Sequence, residues 1–375
     1  MLTLLRVKEI HTPEPSQAHD IFIADGRIAA LGDGLGVPKG VETETFDFPE
    51  GIAVPGFIDQ HAHVTGGGGE GGFSTRCPPI SAEEVVAAGF TTIVGLLGTD
   101  SISRSPADLL AKTRGLREQG IEAYMYTGAY RVPPPTLTGD IQRDIAWIPE
   151  VIGVGEIAIS DHRSSQPTQA EIERLVSEAR IGGMLSRKRG IVHFHLGSGA
   201  RGLAPLKRLL SETEIPADQI IPTHVNRHRR LLEESADYAK TFGAAVDITA
   251  FEFPGKNAVT AVDAVHYLLD QGVPIGQITM SSDCNGSLPE FDEKGELVGM
   301  RVATNTALLA DWQRLARSGR LAFGDALALI TRNIARVIGM AEAKGRLATG
   351  ADADITVLDR ELKPVAVFVK GRRLL

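Results

Sequence analysis

Apolar residues recur along the chain in short runs of strand length, and longer helical stretches separate these runs. Eight runs have this pattern, at residues 54–64, 91–97, 121–128, 151–160, 190–197, 219–224, 244–250 and 276–283. Stretches such as 106–120 and 168–187 lie between them and predict helices. Repeated alternation of strand and helix is typical of an α/β fold, with a parallel sheet covered by helices. Eight strands favour a closed (β/α)8 barrel, and a doubly wound open sheet is the alternative.

The two ends of the chain have a different pattern, with β-rich runs and turn residues. Residues 21–34 place short apolar runs on either side of Asp25-Gly26, a dipeptide typical of a tight hairpin. Residues 351–375 contain the runs ITVL and VAVFV. Neither end has enough strands to bury a face alone, so we expect the two ends to pair. The predicted division is a small β-sandwich-like domain from residues 1–55 and 346–375, with a barrel from residues 56–345.

Composition and charge argue against several classes of protein. The 375 residues are 43% hydrophobic and 23% charged, with a formal net charge of −8, which is ordinary for a soluble globular protein. No run reaches the roughly 18 apolar residues of a membrane-spanning helix, and no basic tract predicts nucleic-acid binding. Cys77 and Cys284 are too few for a disulfide framework, and the first residues do not resemble a signal peptide. We therefore expect a cytoplasmic protein that binds neither membranes nor nucleic acids.

Candidate metal ligands lie near the predicted carboxyl ends of the strands, where a barrel presents its active site. Two of them form a His-x-His pair, whose side chains share one face of a strand. Four histidines and two carboxylates are a ligand set for two metal ions, most simply Zn²⁺. The six residues are His61, His63, Glu156, His195, His224 and Asp283. The other histidines are expected to be structural or exposed, although His193 shares the strand face of His195.

Several motifs resemble those of the amidohydrolase superfamily, and together they span nearly the whole chain. They are PGFIDQHAH (55–63), the strand-end His195 and His224, the SSD that ends at Asp283, TRNIARVIGM (331–340) and GRLATGADADITVLD (345–359). Longer runs are similar to the isoaspartyl dipeptidases of that superfamily. These runs are HAHVTGGGGEGG (61–72), VGLLGTDSISR (94–104), TGAYRVPPPTLTG (127–139), SDHRS (160–164), PTHVNR (222–227) and SSDCNGS (281–287).

The resemblance implies a chemistry and a set of roles. It implies two zinc ions per chain, a homo-oligomer, and hydrolysis of the isopeptide bond of β-aspartyl dipeptides by a metal-bridged hydroxide. His61 and His63 would bind one ion, and His195 and His224 the other. Asp283 would be both a ligand and the general base.

The resemblance also implies how the substrate is held. Tyr130 would polarise the scissile carbonyl, and Glu70 would bind the substrate ammonium with help from Thr99 and Ser287. Arg163 and Arg227 would bind carboxylates, which suits a zwitterion with two carboxylates and one ammonium group. The glycine run that contains Gly68 would let the backbone approach the ligand closely.

One segment departs from the family pattern, which usually places a carbamylated lysine on the fourth strand. The chain has no lysine between Lys112 and Lys188, and Gly155-Glu156 stands at the expected place in a segment that looks one residue longer. We expect Glu156 to bridge the two metals with the same −1 charge, from a backbone that Gly155 allows to come closer. The alternative is a single tightly bound metal with Glu156 hydrogen-bonded outside its ligands.

Three other functions stay open at this point. A related hydrolase of cyclic amides or N-acyl amino acids would keep the metal site and use other substrate contacts. A catalytically inactive binding protein is disfavoured because every predicted ligand position holds a competent residue. The motif GEI also resembles metal-dependent deoxyribonucleases of the superfamily, but the charge of −8 and the lack of a basic stripe disfavour that function.

Overall fold

The computed structural model describes residues 2–37, 39–252, 257–291 and 297–375. Its strands are β1 (Leu2–His11), β2 (Pro15–Ser16), β3 (Asp20–Ala24), β4 (Arg27–Gly32), β5 (Thr43–Pro55), β6 (Phe57–Ala62), β7 (Phe90–Gly95), β8 (Glu122–Thr127), β9 (Val151–Ile159), β10 (Ile191–Leu196), β11 (Ile220–Thr223), β12 (Val246–Thr249), β13 (Ile278–Ser281), β14 (Ser287–Phe291), β15 (Leu297–Val302), β16 (Ile355–Leu358), β17 (Pro364–Val369) and β18 (Arg372–Arg373).

Helices follow most of the central strands. They are α1 (Ala82–Ala87), α2 (Pro106–Glu118), α3 (Ile141–Trp147), α4 (Gln169–Ser186), α5 (Ala204–Glu212), α6 (Arg229–Phe242), α7 (Ala261–Asp270), α8 (Asn305–Arg317), α9 (Phe323–Ala328) and α10 (Arg332–Val337). Local sequence explains where they begin. Thr168 and Glu171, for example, form a capping box that satisfies the first free N–H groups of α4. No helix in the described ranges is both long and apolar enough to cross a bilayer.

Eight parallel strands form the closed barrel that the sequence predicts. β6 to β11 make one six-stranded sheet in chain order, and β12 pairs with β13. The Val225 N–H donates to the carbonyl of Asp247 over 3.3 Å, which joins β11 to β12. The His63 N–H donates to the carbonyl of Cys284 over 2.9 Å, which joins the ends of β6 and β13. All eight predicted runs become barrel strands, so the (β/α)8 prediction is confirmed and the open sheet is excluded.

Both termini lie in one eight-stranded mixed sheet beside the barrel. Its order is β18-β17-β16-β5-β1-β3-β4, with β2 paired to β1. The predicted hairpin joins β3 to β4, where Asp25 and Gly26 have φ values of 50° and 74°. β5 pairs with β1 on one side and with β16 on the other, so the predicted pairing of the two ends is confirmed.

A buried lysine joins this sheet to the barrel. Lys344 is 3% exposed in its side chain, and its Nζ lies 2.5 Å from Asp354 of the sheet region and 3.5 Å from Glu122 of β8. Burial opposes its charge, but Asp354 and Glu122 outweigh burial and raise the pKa of Lys344 above its usual value. The contact therefore links the two regions through a buried ion cluster.

Candidate active site

The six predicted metal ligands converge at the carboxyl end of the barrel. We call His61, His63, Glu156, His195, His224 and Asp283 the central cluster. Five of them are buried, and the Asp283 side chain is 16% exposed. His224 and Asp283 follow β11 and β13 in the left-handed region, with φ values of 61° and 52°. Such a conformation costs a non-glycine residue about 1–3 kcal/mol, and residues that keep it are usually held by their surroundings.

Glu156 contacts all four histidines of the central cluster. Its Oε2 lies 3.0 Å from His195 Nδ1, 3.5 Å from His224 Nε2 and 3.6 Å from His61 Nε2. Its Oε1 lies 3.4 Å from His63 Nε2. The Asp283 Oδ1 lies 3.0 Å from the same His63 nitrogen. The carboxylates therefore lie between the histidines. Three sets of these residues have ligand atoms close enough together to hold a cation: His61, His63 and Glu156; His61, His224 and Asp283; and Glu156, His195 and His224.

Three of the histidines have a second partner outside the cluster. His61 Nδ1 lies 2.8 Å from His193 Nε2, and His224 Nδ1 lies 2.7 Å from Thr249 Oγ1. His195 uses its other nitrogen in the same way, toward Asp161, as described below. Partners of this kind hold the ring and aim the remaining nitrogen, which is how metal-binding histidines are usually oriented.

Four buried polar atoms of the cluster have no hydrogen-bond partner among the described residues. They are His61 Nε2, His63 Nδ1, Glu156 Oε1 and Asp283 Oδ1. Buried polar atoms almost always have a partner, so four such atoms in one cluster need an explanation. Imidazole nitrogens and carboxylate oxygens are the donors of zinc-type sites. The residues present therefore fit one or two divalent cations.

The charges of the cluster are strongly coupled. Burial would lower the pKa of His61, but the Glu156 and Asp283 carboxylates outweigh it and raise the pKa to about 9. Burial lowers the pKa of His224 to about 3 despite its contact with Glu156, so this ring is neutral. Burial also opposes ionisation of Glu156, but His61 and His195 hold its pKa well below the usual value. The cluster thus contains ionised carboxylates and at least one neutral imidazole.

An extra residue in β9 brings Glu156 into the cluster. Val154 pairs with Val192 of β10, whereas Ile157 pairs with Phe194, so two residues of β9 stand opposite one of β10. This is a β-bulge, in the segment whose sequence looks one residue longer than the family pattern. A Cβ atom at Gly155 would lie 2.9 Å from the Cβ of His193, so the close approach requires glycine. The Gly155–Glu156 peptide bond is cis.

Glu70 lies at the mouth of the cluster among three predicted substrate-binding residues. Its Oε1 accepts from Thr99 Oγ1 at 3.1 Å and from Arg163 Nη1 at 3.3 Å, and its Oε2 accepts from Ser287 Oγ at 3.2 Å. We call these four residues the polar mouth. Gly68 shapes the loop before Glu70, with a φ of 77° and no room for a Cβ atom beside the carbonyl of residue 75.

The remaining predicted residues surround His195. The Tyr130 hydroxyl lies 2.8 Å from His195 Nδ1, and burial raises the pKa of this phenol well above its usual value. The Arg163 guanidinium stands 5.3 Å above the Tyr130 ring. Arg227 Nη2 lies 3.4 Å from His195 Nε2, and its buried Nε has no partner among the described residues.

Two residues of the site were missed or undervalued from sequence. His193 is fully buried and is structural, as the sequence allows, but its contact with the candidate ligand His61 is not predicted. Asp161 was not singled out at all, and it contacts both His195 and Arg163. Strand alternation was the available signal for His193, and the position of Asp161 two residues before Arg163 was the signal for Asp161.

Comparisons with known proteins agree with this architecture. The profile of the amidohydrolase family matches residues 52–374. A β-aspartyl dipeptidase of Fervidobacterium islandicum AW-1, solved in complex with β-Asp-Leu, is 42% identical with a TM-score of 0.94, over 100% of this chain and 96% of that chain. A second structure of a β-aspartyl dipeptidase from that organism is 39% identical with a TM-score of 0.91, over 100% and 97% of the two chains.

A more distant relative is named for a different reaction. The dihydroorotase of Pelotomaculum thermopropionicum is 24% identical, over 94% of this chain and 88% of its own length. The predicted resemblance to the amidohydrolase superfamily and its isoaspartyl dipeptidases is confirmed by the family profile and by the two structures above 30% identity. This chain is a hydrolase that belongs to the amidohydrolase family.

Proposed function

We propose that this protein hydrolyses the isopeptide bond of β-aspartyl dipeptides. The observation that carries the proposal is the pairing of Glu70 with Arg163, 3.3 Å apart, at the mouth of the central cluster. A β-aspartyl dipeptide has one ammonium group and two carboxylates, so it needs an anion and cationic forks beside the reacting carbonyl. The β-Asp-Leu complex of the Fervidobacterium enzyme supports this substrate class.

The central cluster would hold two divalent cations, which we propose to be Zn²⁺. His61 and His63 would bind one, and His195 and His224 the other. Zinc accepts mixed imidazole and carboxylate donors, and the unpartnered atoms of the cluster support such a site. When bound, the cations lower the pKa of a water molecule and polarise the scissile carbonyl.

Glu156 would bridge the two cations. Its Oε2 is 3.0 Å from His195 Nδ1 and 3.6 Å from His61 Nε2, and its Oε1 is 3.4 Å from His63 Nε2, so the carboxylate lies between the two histidine pairs. A glutamate carries the same −1 charge as a carbamylated lysine, but its side chain is shorter. The bulge at Gly155 would compensate for this shorter reach by bringing the backbone closer. The alternative is one cation with Glu156 hydrogen-bonded outside its ligands.

Asp283 would act as the general base. Its side chain is 16% exposed, so it lies at the boundary between the buried cluster and the mouth. Asp283 would accept a proton from the attacking water as the oxygen adds to the carbonyl carbon. It would then give this proton to the leaving amine nitrogen when the carbon–nitrogen bond breaks.

Tyr130 would stabilise the negative charge that develops on the carbonyl oxygen. Its hydroxyl lies beside His195, at a distance of 2.8 Å from Nδ1. Burial raises the pKa of Tyr130, so the phenol keeps its proton and can donate a hydrogen bond. A donor placed in advance at the oxyanion is among the larger contributions to catalysis.

The polar mouth would select the substrate. Glu70 would take the ammonium group, and Thr99 and Ser287 hold its two oxygens in place. Arg163 and Arg227 would each bind a carboxylate, and both reach within 3.4 Å of His195 Nε2. The three charged groups of the substrate would thus be fixed around the reacting carbonyl.

The direct test is hydrolysis of β-Asp-Leu by zinc-loaded protein, with released aspartate and leucine quantified. Wild-type protein is expected to release both products in equal amounts. Asp283→Asn is expected to keep its fold and lose turnover because the proton acceptor is gone. Substantial turnover by Asp283→Asn would remove its role as the base.

A second candidate is hydrolysis of a cyclic amide, which the similarity to a dihydroorotase favours. Dihydroorotate has a carboxylate but no ammonium group, so it has no cationic group that could pair with the Glu70 carboxylate. Glu70→Gln should therefore weaken activity on a β-aspartyl dipeptide and leave activity on a cyclic amide nearly unchanged.

A further inference from the structure

Asp161 contacts a residue of the central cluster and a residue of the polar mouth at the same time. We propose that Asp161 is a positioning residue that orients His195 toward the cation and Arg163 toward the substrate. The substrate half of this inference rests on the proposed function, whereas the cation half needs only the central cluster. Asp161 would therefore couple cation affinity to substrate affinity through one carboxylate.

The contact with His195 bears on which ring nitrogen carries the proton of the neutral imidazole. Asp161 Oδ2 lies 3.0 Å from His195 Nε2, and the Asp161 side chain is 4% exposed. Asp161 Oδ2 is the nearest partner of Nε2, closer than Arg163 Nη2 at 3.3 Å and Arg227 Nη2 at 3.4 Å. Because a carboxylate can only accept, the proton of a neutral His195 ring stands on Nε2. The lone pair of Nδ1 then faces Glu156, 3.0 Å away, where a cation would bind.

The contact with Arg163 fixes one edge of its guanidinium. Nε donates to Asp161 Oδ1 at 3.0 Å, and Nη2 donates to Oδ2 at 2.9 Å. This bidentate pair leaves Nη1 free to point at Glu70, 3.3 Å away. The Nη1 edge, beside Glu70, therefore faces the place where the ammonium and carboxylate of an α-amino acid head group would lie.

Asp161 itself is rigidly held. The Arg163 N–H donates to its Oδ1 at 2.8 Å, and Gln166 Nε2 donates to its carbonyl at 2.8 Å. A Cβ atom at Gly197 would lie 2.5 Å from the Asp161 Cα, so the residue that follows β10 packs directly against it. The carboxylate can thus orient its two partners without moving.

Both oxygens of Asp161 accept two hydrogen bonds, and this makes asparagine a sharp test. Oδ1 accepts the backbone N–H and Nε–H of Arg163, whereas Oδ2 accepts from Arg163 Nη2 and from His195 Nε2. The amide of an asparagine at this position has one oxygen, so its NH₂ group would meet a donor on one side. If the NH₂ group faced His195, it would favour the His195 tautomer with the proton on Nδ1.

The experiment compares Asp161→Asn, Arg163→Lys and Asp311→Asn in zinc-loaded protein. Asp311 is the matched control, because its side chain is also 4% exposed and is paired to Arg314, away from the site. Zinc affinity is measured by competition with a chelator, and KM and kcat are measured with β-Asp-Leu.

Asp161→Asn is expected to weaken zinc binding about 10–100-fold, the usual effect of losing a partner of a ligand histidine. It should also raise KM about tenfold or more, since charge-assisted hydrogen bonds to the substrate clamp are lost. Arg163→Lys should raise KM alone, and Asp311→Asn should change neither quantity. Asp161→Asn with wild-type zinc affinity would overturn the proposed coupling, even if its KM rose as in Arg163→Lys.

A spectroscopic measurement on wild-type protein covers the case in which Asp161→Asn does not fold. Long-range ¹H–¹⁵N spectra of zinc-loaded protein with ¹⁵N-histidine are expected to show the proton of His195 on Nε2, assigned by its loss in His195→Gln. A proton on Nδ1 would contradict the inference. If wild-type protein binds zinc and does not hydrolyse β-Asp-Leu, the proposed function fails, while these zinc and tautomer results still decide the role of Asp161 toward His195.

Discussion

The carboxylate of Glu156 lies 3.0 Å from Nδ1 of His195, although the two residues belong to neighbouring strands. The distance depends on the one-residue bulge in β9, which turns the glutamate into the barrel mouth. We therefore expect the bulge and the carboxylate to act together in the candidate metal site.

Replacing Glu156 with glutamine removes the negative charge and keeps the shape. Because the proposed bridge needs both oxygens and their charge, the variant should bind zinc at least about 10–100-fold more weakly. Elemental analysis after gel filtration should give fewer than two zinc ions per chain. Glu150→Gln is the control, since Glu150 pairs with Arg114 just before β9 and away from the cluster. Two zinc ions held as tightly as in the wild type would argue against bridging.

Replacing Gly155 with alanine tests the bulge itself. The new Cβ would stand 2.9 Å from the His193 Cβ, so the strands must shift, at a cost of about 1–3 kcal/mol in the free energy of unfolding. The zinc affinity of Gly155→Ala should also fall, because a shift of His193 would disturb its contact with His61.

The matched control is Gly115→Ala in α2, where a Cβ meets nothing within 4 Å. Because alanine is the better helix former, this control should raise stability by roughly 0.5–1 kcal/mol. Urea unfolding of both variants measures the difference. A Gly155→Ala protein as stable and as rich in zinc as the wild type would show that the strands tolerate a side chain there.

Much of this architecture was predictable from sequence, for physical reasons. Strand-length apolar runs between helical stretches located all eight barrel strands, because buried parallel strands have few polar positions. The six residues of the central cluster followed from their places at strand ends, where a barrel exposes its active site. Turn chemistry located the Asp25-Gly26 hairpin.

The supporting residues were harder to predict because their roles depend on contacts between strands. His193 alternates onto the same face as His195, but periodicity does not distinguish a partner of His61 from a packing residue. Asp161 lies two residues from Arg163, and only the fold brings it to His195. One sequence contains no information on such distances, so these two residues needed the structure.

A substitution at Glu70 distinguishes effects on substrate recognition from effects on metal binding. Glu70→Gln removes the anion for the substrate ammonium and leaves the central cluster untouched. We expect KM for β-Asp-Leu to rise about tenfold or more, with unchanged zinc content, as for loss of a charged hydrogen-bond partner. Steady-state kinetics and elemental analysis measure the two effects. Glu118→Gln, at the exposed end of α2, is the control, and loss of zinc in Glu70→Gln would show that its role is misassigned.

Lys344 is expected to matter for stability and not for chemistry. Lys344→Met would leave Asp354 and Glu122 buried without their shared cation, which costs about 3–5 kcal/mol in the free energy of unfolding. Lys370→Met is the control, because that lysine also contacts Glu122 but is 48% exposed. Thermal unfolding at matched zinc content measures both variants. An equal loss of stability in Lys344→Met and Lys370→Met would mean that burial of the lysine does not determine its contribution to stability.

The most direct test of the central claim compares β-Asp-Leu, α-Asp-Leu and dihydroorotate as substrates of one zinc-loaded preparation. We predict turnover of β-Asp-Leu alone, because only this compound would place an ammonium group at Glu70 and carboxylates at Arg163 and Arg227 around the reacting carbonyl. No turnover of β-Asp-Leu by protein that holds two zinc ions per chain would contradict it, and hydrolysis of dihydroorotate instead would identify the cyclic amide as the substrate.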